Sequence, residues 1–180
     1  MQPILLHSCC GPCACYTVDN LRETGFEPTL FFYNPNIHPF QEYQRRLEGL
    51  QTLAEIKKSS VVHDNEYDLE EFLANVAANP TARCSFCYRM RLKKTALKAK
   101  ELGVECFSTT LLISPYQNRD LLCQIGAELA DEYGLVFIDQ DFRPGFRQSQ
   151  AMAKELNLYR QGYCGCIYSE KERYYKNNKK

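Results

Sequence analysis

The chain has 180 residues, 44% of them hydrophobic, and its acidic and basic side chains balance to a formal net charge of zero. That length buries one good core and makes one domain over 1–180 the expectation, while zero net charge excludes a global field drawing the protein to nucleic acid. No stretch approaches the roughly eighteen consecutive apolar residues of a membrane span, and MQPILLHSCC lacks the basic start and long apolar run of a signal peptide, so a cytoplasmic protein with no membrane partner is expected.

Short β-rich runs alternate with segments of helical period. PILLHS (3–8) reads as a buried strand, followed by the helix ACYTVDNLRETG that Gly25 ends. PTLFFYNPN (28–36) is a second strand, broken by its prolines and asparagines. Phe40, Tyr43, Leu47, Leu50 and Ala54 recur at three- and four-residue spacing and predict an amphipathic helix over 39–58. SVVHD (60–64) is a candidate third strand, and DLEEFLANVAANP a helix that Pro80 stops. CSFC (84–87) then leads into the helix YRMRLKKTALKAKELG. VECFSTTLL (104–112) reads as a strand, PYQNRDLLCQIGAELADEYG as a helix, LVFIDQDF (135–142) as a strand and QSQAMAKELNLY as a helix. A basic helix or tail from about residue 170 closes the chain.

This alternation predicts the α/β class: a mainly parallel sheet with helices on both faces. In such sheets ligands bind off the carboxyl ends of the strands. HSCCGPC, YNPNIHPF, STTLLISPYQN and DQDFRPGF all occupy that position, so four loops rich in Cys, Asp, Asn, His and Arg should meet at one edge. Positive charge is concentrated in QRR (44–46), YRMRLKK (88–94) and KERYYKNNKK (171–180). Taken alone, these segments read as solvated helix faces and a tail. The alternative is phosphate contacts to an RNA, which need only a local patch.

Eight of the ten cysteines fall in three tight clusters, HSCCGPCAC, CSFC and YCGC, which points to metal ligation or redox chemistry rather than packing. Cys9 and Cys10 sit at a strand-to-helix turn bent by Gly11 and Pro12, near a helix N-terminus that lowers thiol pKa. Cys84 and Cys87 form a CxxC, a spacing used for zinc, iron–sulfur clusters and dithiol redox pairs. With a second thiol pair from another loop, a four-thiolate site is the leading reading, and Cys-Cys plus CxxC suits an iron–sulfur cluster better than zinc. Cys164 and Cys166 flank Gly165, which accepts unusual backbone angles. They form either a redox-active dithiol or a pair of metal ligands. Cys15, Cys106 and Cys123 read as packing residues. Cys13, one turn into the first helix, is either another of these or a further thiolate facing the site. Nothing singles out His7 or His38 as a ligand, and His63 reads as structural.

Together, HSCCGPC, FYNPNIHPFQEYQRR, RCSFCYRMRL, STTLLISPYQN, DFRPGFRQSQ and LYRQGYCGCIYSE resemble the QueH family of epoxyqueuosine reductases, from about residue 3 to residue 170. The resemblance implies an adenine-nucleotide α-hydrolase-like (HUP-like) fold. It also implies reduction of the epoxide of epoxyqueuosine in a tRNA anticodon loop, the last step of queuosine biosynthesis. It further implies a 4Fe–4S cluster on Cys9, Cys10, Cys84 and Cys87, and a redox role for Cys164 and Cys166, commonly an active disulfide pair. An adjacent mononuclear iron stays open, with Cys13, Asp141 or a YCGC thiol as its ligand.

Epoxide removal consumes two electrons and two protons, so the partners implied are tRNA carrying epoxyqueuosine and an unidentified electron donor. Asp141 and Tyr163 are candidates for proton delivery. Arg143 and Arg147 are candidates for gripping phosphate, and Tyr116 with Gln117 for holding the modified base. The plainer readings are arginines paired at a helix end and a Tyr-Gln that merely begins a helix. Two rival functions remain: a zinc-stapled RNA-binding module, and a thiol–disulfide enzyme using CxxC alone, which leaves Cys9 and Cys10 without a role.

Overall fold

The computed structural model describes residues 1–64 and 66–175. Five strands form one sheet in the order β3-β2-β1-β4-β5, all parallel: β1 (Gln2–His7), β2 (Phe26–Phe32), β3 (Val61–His63), β4 (Cys106–Thr109) and β5 (Val136–Phe137). This Rossmann-type order agrees with the HUP-like expectation. At the centre Leu6 lies opposite Leu30 on one side and Ser108 on the other. Leu5, Leu6, Leu30, Phe31, Phe32 and Phe107 are fully buried, because helices cover both faces and the strands can be continuously apolar.

The chain order sets the helix layers. Right-handed crossovers place α1 (Gly11–Glu23) and α2 (Phe40–Lys57) on one face as the sheet grows from β1 to β3. The chain then crosses back over the sheet to β4, which puts α4 (Arg83–Glu101) and α5 (Arg119–Tyr133) on the other face, with α3 (Leu69–Val76) against α4. α6 (Phe146–Glu155) returns to pack on α1, and α7 (Ile167–Tyr174) closes the described chain. The direction of growth reverses between β1 and β4, and the crevice of a doubly wound sheet opens at such a reversal.

Several boundaries differ from those the sequence predicts. CSFC does not precede a helix but forms the first turn of α4, after a 3₁₀ turn at Pro80–Ala82. β4 stops at Thr109 because the Thr109 hydroxyl accepts the Leu111 N–H at 3.1 Å and caps a 3₁₀ turn over Thr110–Ile113. α5 begins four residues later than PYQN, where the Asn118 side chain accepts from Leu121 N–H. β5 is only two residues long, so most of LVFIDQDF is loop. The predicted closing helix is α7, while the last part of the basic tail, 176–180, lies outside the described residues.

Candidate metal centre

The turn after β1 delivers three sulfurs to one point. Cys9, Cys10 and Cys13 are all buried, and their Sγ atoms lie within 4.8 Å of one another, with Cys9 and Cys10 at 3.7 Å. Two sulfurs on one tetrahedral metal at about 2.3 Å stand about 3.8 Å apart, so this pair is close enough to share an ion. Among the described residues this is the one set of three Cys, His, Asp or Glu groups so gathered. Sequence left Cys13 undecided, and the structure places it with Cys9 and Cys10.

Three local causes fix the geometry. Thr110, at the end of β4, accepts the Cys9 N–H at 3.2 Å, tying the cysteine turn to the neighbouring strand. His7 is fully buried beneath it, its Nδ1 at 2.9 Å from the Thr109 hydroxyl and its Nε2 at 3.2 Å from both Tyr33 O and Asn34 Oδ1. Burial, reinforced by the nearby Arg91 cation, drives its pKa down to about 3, so it is a neutral strut. Gly11 serves for close approach rather than for an unusual φ. A Cβ there would stand 2.6 Å from the Gly49 carbonyl oxygen, so only glycine lets α1 rest on α2.

Burial and mutual hydrogen bonding shift the three thiols in opposite directions. Hydrogen bonds from Cys10 and then Cys13 hold the Cys9 pKa well below its usual value. Burial pushes the Cys10 thiol up, and its bonds to Cys10 and Cys9 push up Cys13. Removing the remaining protons therefore requires a cation among the sulfurs, as a metal ion supplies. Gln161 donates from Nε2 to Cys10 Sγ at 3.1 Å, with Cys13 Sγ at 3.8 Å, and its own Oε1 is buried without a partner among the described residues. Sequence reasoning passed over Gln161, although it stands two residues before Tyr163 in the quoted motif LYRQGYCGC.

A second thiol group is formed by the other two cysteine motifs. Cys84 and Cys87 occupy the first turn of α4, Cys84 exposed and Cys87 buried, and both have Cys164 and Cys166 as neighbours. Burial raises both pKa values, that of Cys87 to about 12. Cys84 and Cys87 do not come within the ligand spacing that joins Cys9, Cys10 and Cys13. Cys164 Sγ accepts from Gln117 Nε2 at 3.3 Å, while Cys166 Sγ accepts the Ser169 N–H at 3.4 Å and caps α7. All ten cysteines are free thiols. Between the last two, Gly165 adopts φ +154°, and a Cβ there would press on Ile37 and Asn36.

A cavity of about 450 Å³ opens over the sulfurs, with Cys9, Cys13, Thr110, Gln117, Gln161 and Cys164 in its wall. Tyr116 stands at its rim, 84% exposed, its ring edge-on to Phe146 at 6.0 Å. Gln117 also accepts from the Tyr88 hydroxyl at 2.7 Å. Tyr163 lines the cavity too, but its hydroxyl donates to the His38 carbonyl, Arg46 lies over its ring at 5.5 Å, and burial raises its pKa to about 12. Asp141, Arg143 and Arg147 are outside that wall. Asp141 is gripped by Arg143 at 2.6 and 2.8 Å, which holds its pKa at about 2, and it does not join the sulfur group. Arg147 is exposed on α6.

The basic segments are largely committed elsewhere. In QRR, Arg46 is buried and paired with Glu42 at 2.7 Å, and donates to the carbonyls of Cys164 and Tyr163. In YRMRLKK, Arg89 pairs with Glu128, Lys94 pairs with Asp64 and Glu66, and Arg91 is buried. These positions are thus neither a plain solvated face nor a ready phosphate patch.

A parallel sheet whose reversal point carries three gathered, buried cysteines under an open cavity defines an α/β protein with a cysteine cluster that could hold a metal. The family model described as Epoxyqueuosine reductase QueH matches residues 4–172. Relatives named Epoxyqueuosine reductase QueH include those of Dehalococcoides mccartyi, 43% identical over 97% of this chain and 96% of the relative, and Thermotoga maritima, 37% identical over 96% and 93%. Another, from Streptococcus pyogenes, is 36% identical over 93% of this chain and 70% of its own. The chain belongs to the QueH family, a family of oxidoreductases.

Proposed function

We propose that the protein reduces the epoxide of epoxyqueuosine, carried in a tRNA anticodon loop, to the alkene of queuosine. The carrying observation is the set of three buried sulfurs in and beneath the wall of an open cavity at the sheet's reversal point. Their gathering within 4.8 Å of one another and the two buried arginines nearby support a thiolate-bound iron group. Cys9, Cys10, Cys84 and Cys87 would hold a 4Fe–4S cluster, and Cys13 would serve an adjacent iron. When bound, such a cluster supplies electrons singly at low potential.

The chain's own groups account for the rest of the balance. Opening the epoxide to an alkene and water takes two electrons and two protons. Oxidation of the Cys164 and Cys166 thiols to a disulfide releases two of each, and Cys164 stands in the cavity wall. A reductant, the unidentified electron donor, then restores the dithiol. Tyr116 offers its face for stacking a flat base, and the Gln117 amide, held by Tyr88, offers hydrogen bonds beside it. Arg143 and Arg147 would contact phosphate outside the cavity. Among the described residues no helix is long and apolar enough to cross a membrane.

The test is iron, zinc and acid-labile sulfide per chain after oxygen-free purification, followed by single-turnover conversion of epoxyqueuosine tRNA. About five irons to four sulfides, and product formed, are expected. Stoichiometric zinc without sulfide, and no product, would instead indicate a zinc-stapled RNA-binding module.

A further inference from the structure

Two arginines are buried beside the sulfurs, and they differ in one respect. Arg46, 1% exposed, is neutralised by Glu42 and uses its guanidinium on two backbone carbonyls. The guanidinium of Arg91, 2% exposed, makes one hydrogen bond among the described residues, from Nε to the Cys87 carbonyl at 3.2 Å. Its Nη2 is buried without a partner, and among the described residues no carboxylate forms an ion pair with it. A buried cation left without a counter-charge is strongly unfavourable, so an anion belongs beside this guanidinium.

The groups near enough to act on the Arg91 guanidinium are the thiols of Cys87, Cys164 and Cys9 and the Tyr88 hydroxyl. The thiols come from the three cysteine motifs, and Arg91 is the residue they share: Cys9 follows β1, Cys87 is one turn back on α4, and Cys164 precedes α7. We infer that Arg91 is the fixed counter-charge of the thiolate centre, a positioning residue that couples the two sulfur groups and sets the potential of whatever iron group they hold. The inference rests on the iron–sulfur reading above. It does not follow from the ligand set, since a structural arginine in α4 would be expected to carry its own carboxylate, as Arg46 does in α2.

A positive charge fixed in a low-dielectric interior favours the more reduced, more negative state of a neighbouring centre, and salt screens it little. The experiment uses holoprotein purified without oxygen as wild type, Arg91→Gln and Arg91→Lys, with far-UV circular dichroism as the check of folding. Iron and sulfide per chain are measured first, then the midpoint potential by dye-mediated titration at low and high salt. Arg91→Gln should shift the potential to more negative values at both salt concentrations, whereas Arg91→Lys, which keeps the charge, should stay close to wild type.

An Arg91→Gln protein with wild-type iron content and an unchanged potential overturns the inference. If Arg91→Gln fails to fold or to retain iron, Arg91→Lys decides. Retention and a near-wild-type potential in the lysine variant support the charge role, and equal failure of both variants shows a purely steric one. A wild-type protein lacking iron and sulfide overturns the iron–sulfur reading itself. A wild-type cluster whose potential ignores Arg91 overturns only this inference.

Discussion

Gln161 reaches Cys10 with its amide nitrogen at 3.1 Å, while its carbonyl oxygen, equally buried, accepts nothing among the described residues. The side chain therefore offers the sulfurs a donor and keeps an acceptor in reserve at the cavity wall. Hydrogen bonds to a metal-bound sulfur hold the ligand's orientation and charge, and loss of such supports weakens metal binding about 10- to 100-fold. Gln161→Leu is expected to shed iron to a chelator at least about tenfold faster than wild type. Gln161→Glu should be worse, because an ionised carboxylate accepts only and repels the thiolates. Timed iron loss, followed by visible absorbance, measures both.

Cys13 and Cys15 are two residues apart on one helix, and both are buried, yet only Cys13 brings its sulfur to Cys9 and Cys10. Cys13→Ala is expected to lose the adjacent iron while keeping about four irons with matching sulfide, and to lower reductase activity at least about tenfold. Cys15→Ala should keep its iron and cost only the small packing penalty of a buried sulfur, about 1 kcal/mol. Metal analysis and urea denaturation of the pair separate ligand from packing.

What sequence could and could not reveal follows from what each signal measures. The alternation of apolar runs and helical periods exposed the parallel α/β layout because β1 and β2 are covered on both faces and carry nearly unbroken apolar residues. β5 was overdrawn because LVFIDQDF is as β-prone as a real strand, and only its partner's end at Thr109 limits pairing. The cysteine clusters marked the site, and the Cys9–Cys10 turn stands in it, whereas the CxxC pair lies outside the spacing that joins Cys9, Cys10 and Cys13. Arg91 and Gln161 were not legible. Each matters through a partner 70 residues or more away in sequence, Arg91 through Cys9 and Gln161 through Cys10, which no local pattern reports. Arg91 and Arg46 read as surface charge for the same reason.

Glu42 and Arg46 form an ion pair with side chains 7% and 1% exposed, and Arg46 carries the backbone of Tyr163 and Cys164 on its other nitrogens. Glu42 also accepts from the Tyr159 hydroxyl at 2.5 Å. Removing one partner of a buried pair leaves the other charge uncompensated. Glu42→Gln should therefore destabilise the protein by about 3 kcal/mol. A lowered urea midpoint with an unchanged slope would show it. Faster amide exchange through 163–166 would show that the YCGC loop is what the pair holds.

His38 fastens the same loop from the opposite side. Its Nε2–H donates to the Pro35 carbonyl at 3.0 Å, leaving Nδ1 to accept the Ile167 N–H at 3.2 Å at the start of α7. Burial lowers its pKa below the usual value. The folded protein thus binds its proton less readily than the unfolded chain, whose histidine titrates near about 6.5. The stability from this contact is full above that pH and is lost as pH falls through it toward the lower folded value. Protonation also turns Nδ1 from acceptor to donor, facing another N–H. Between pH 7.5 and 5.5, amide exchange at Ile167 and through α7, corrected for intrinsic rates, should accelerate in wild type. In His38→Gln, which carries no titrating group there, that pH dependence should be absent, and its persistence would assign the effect to another group.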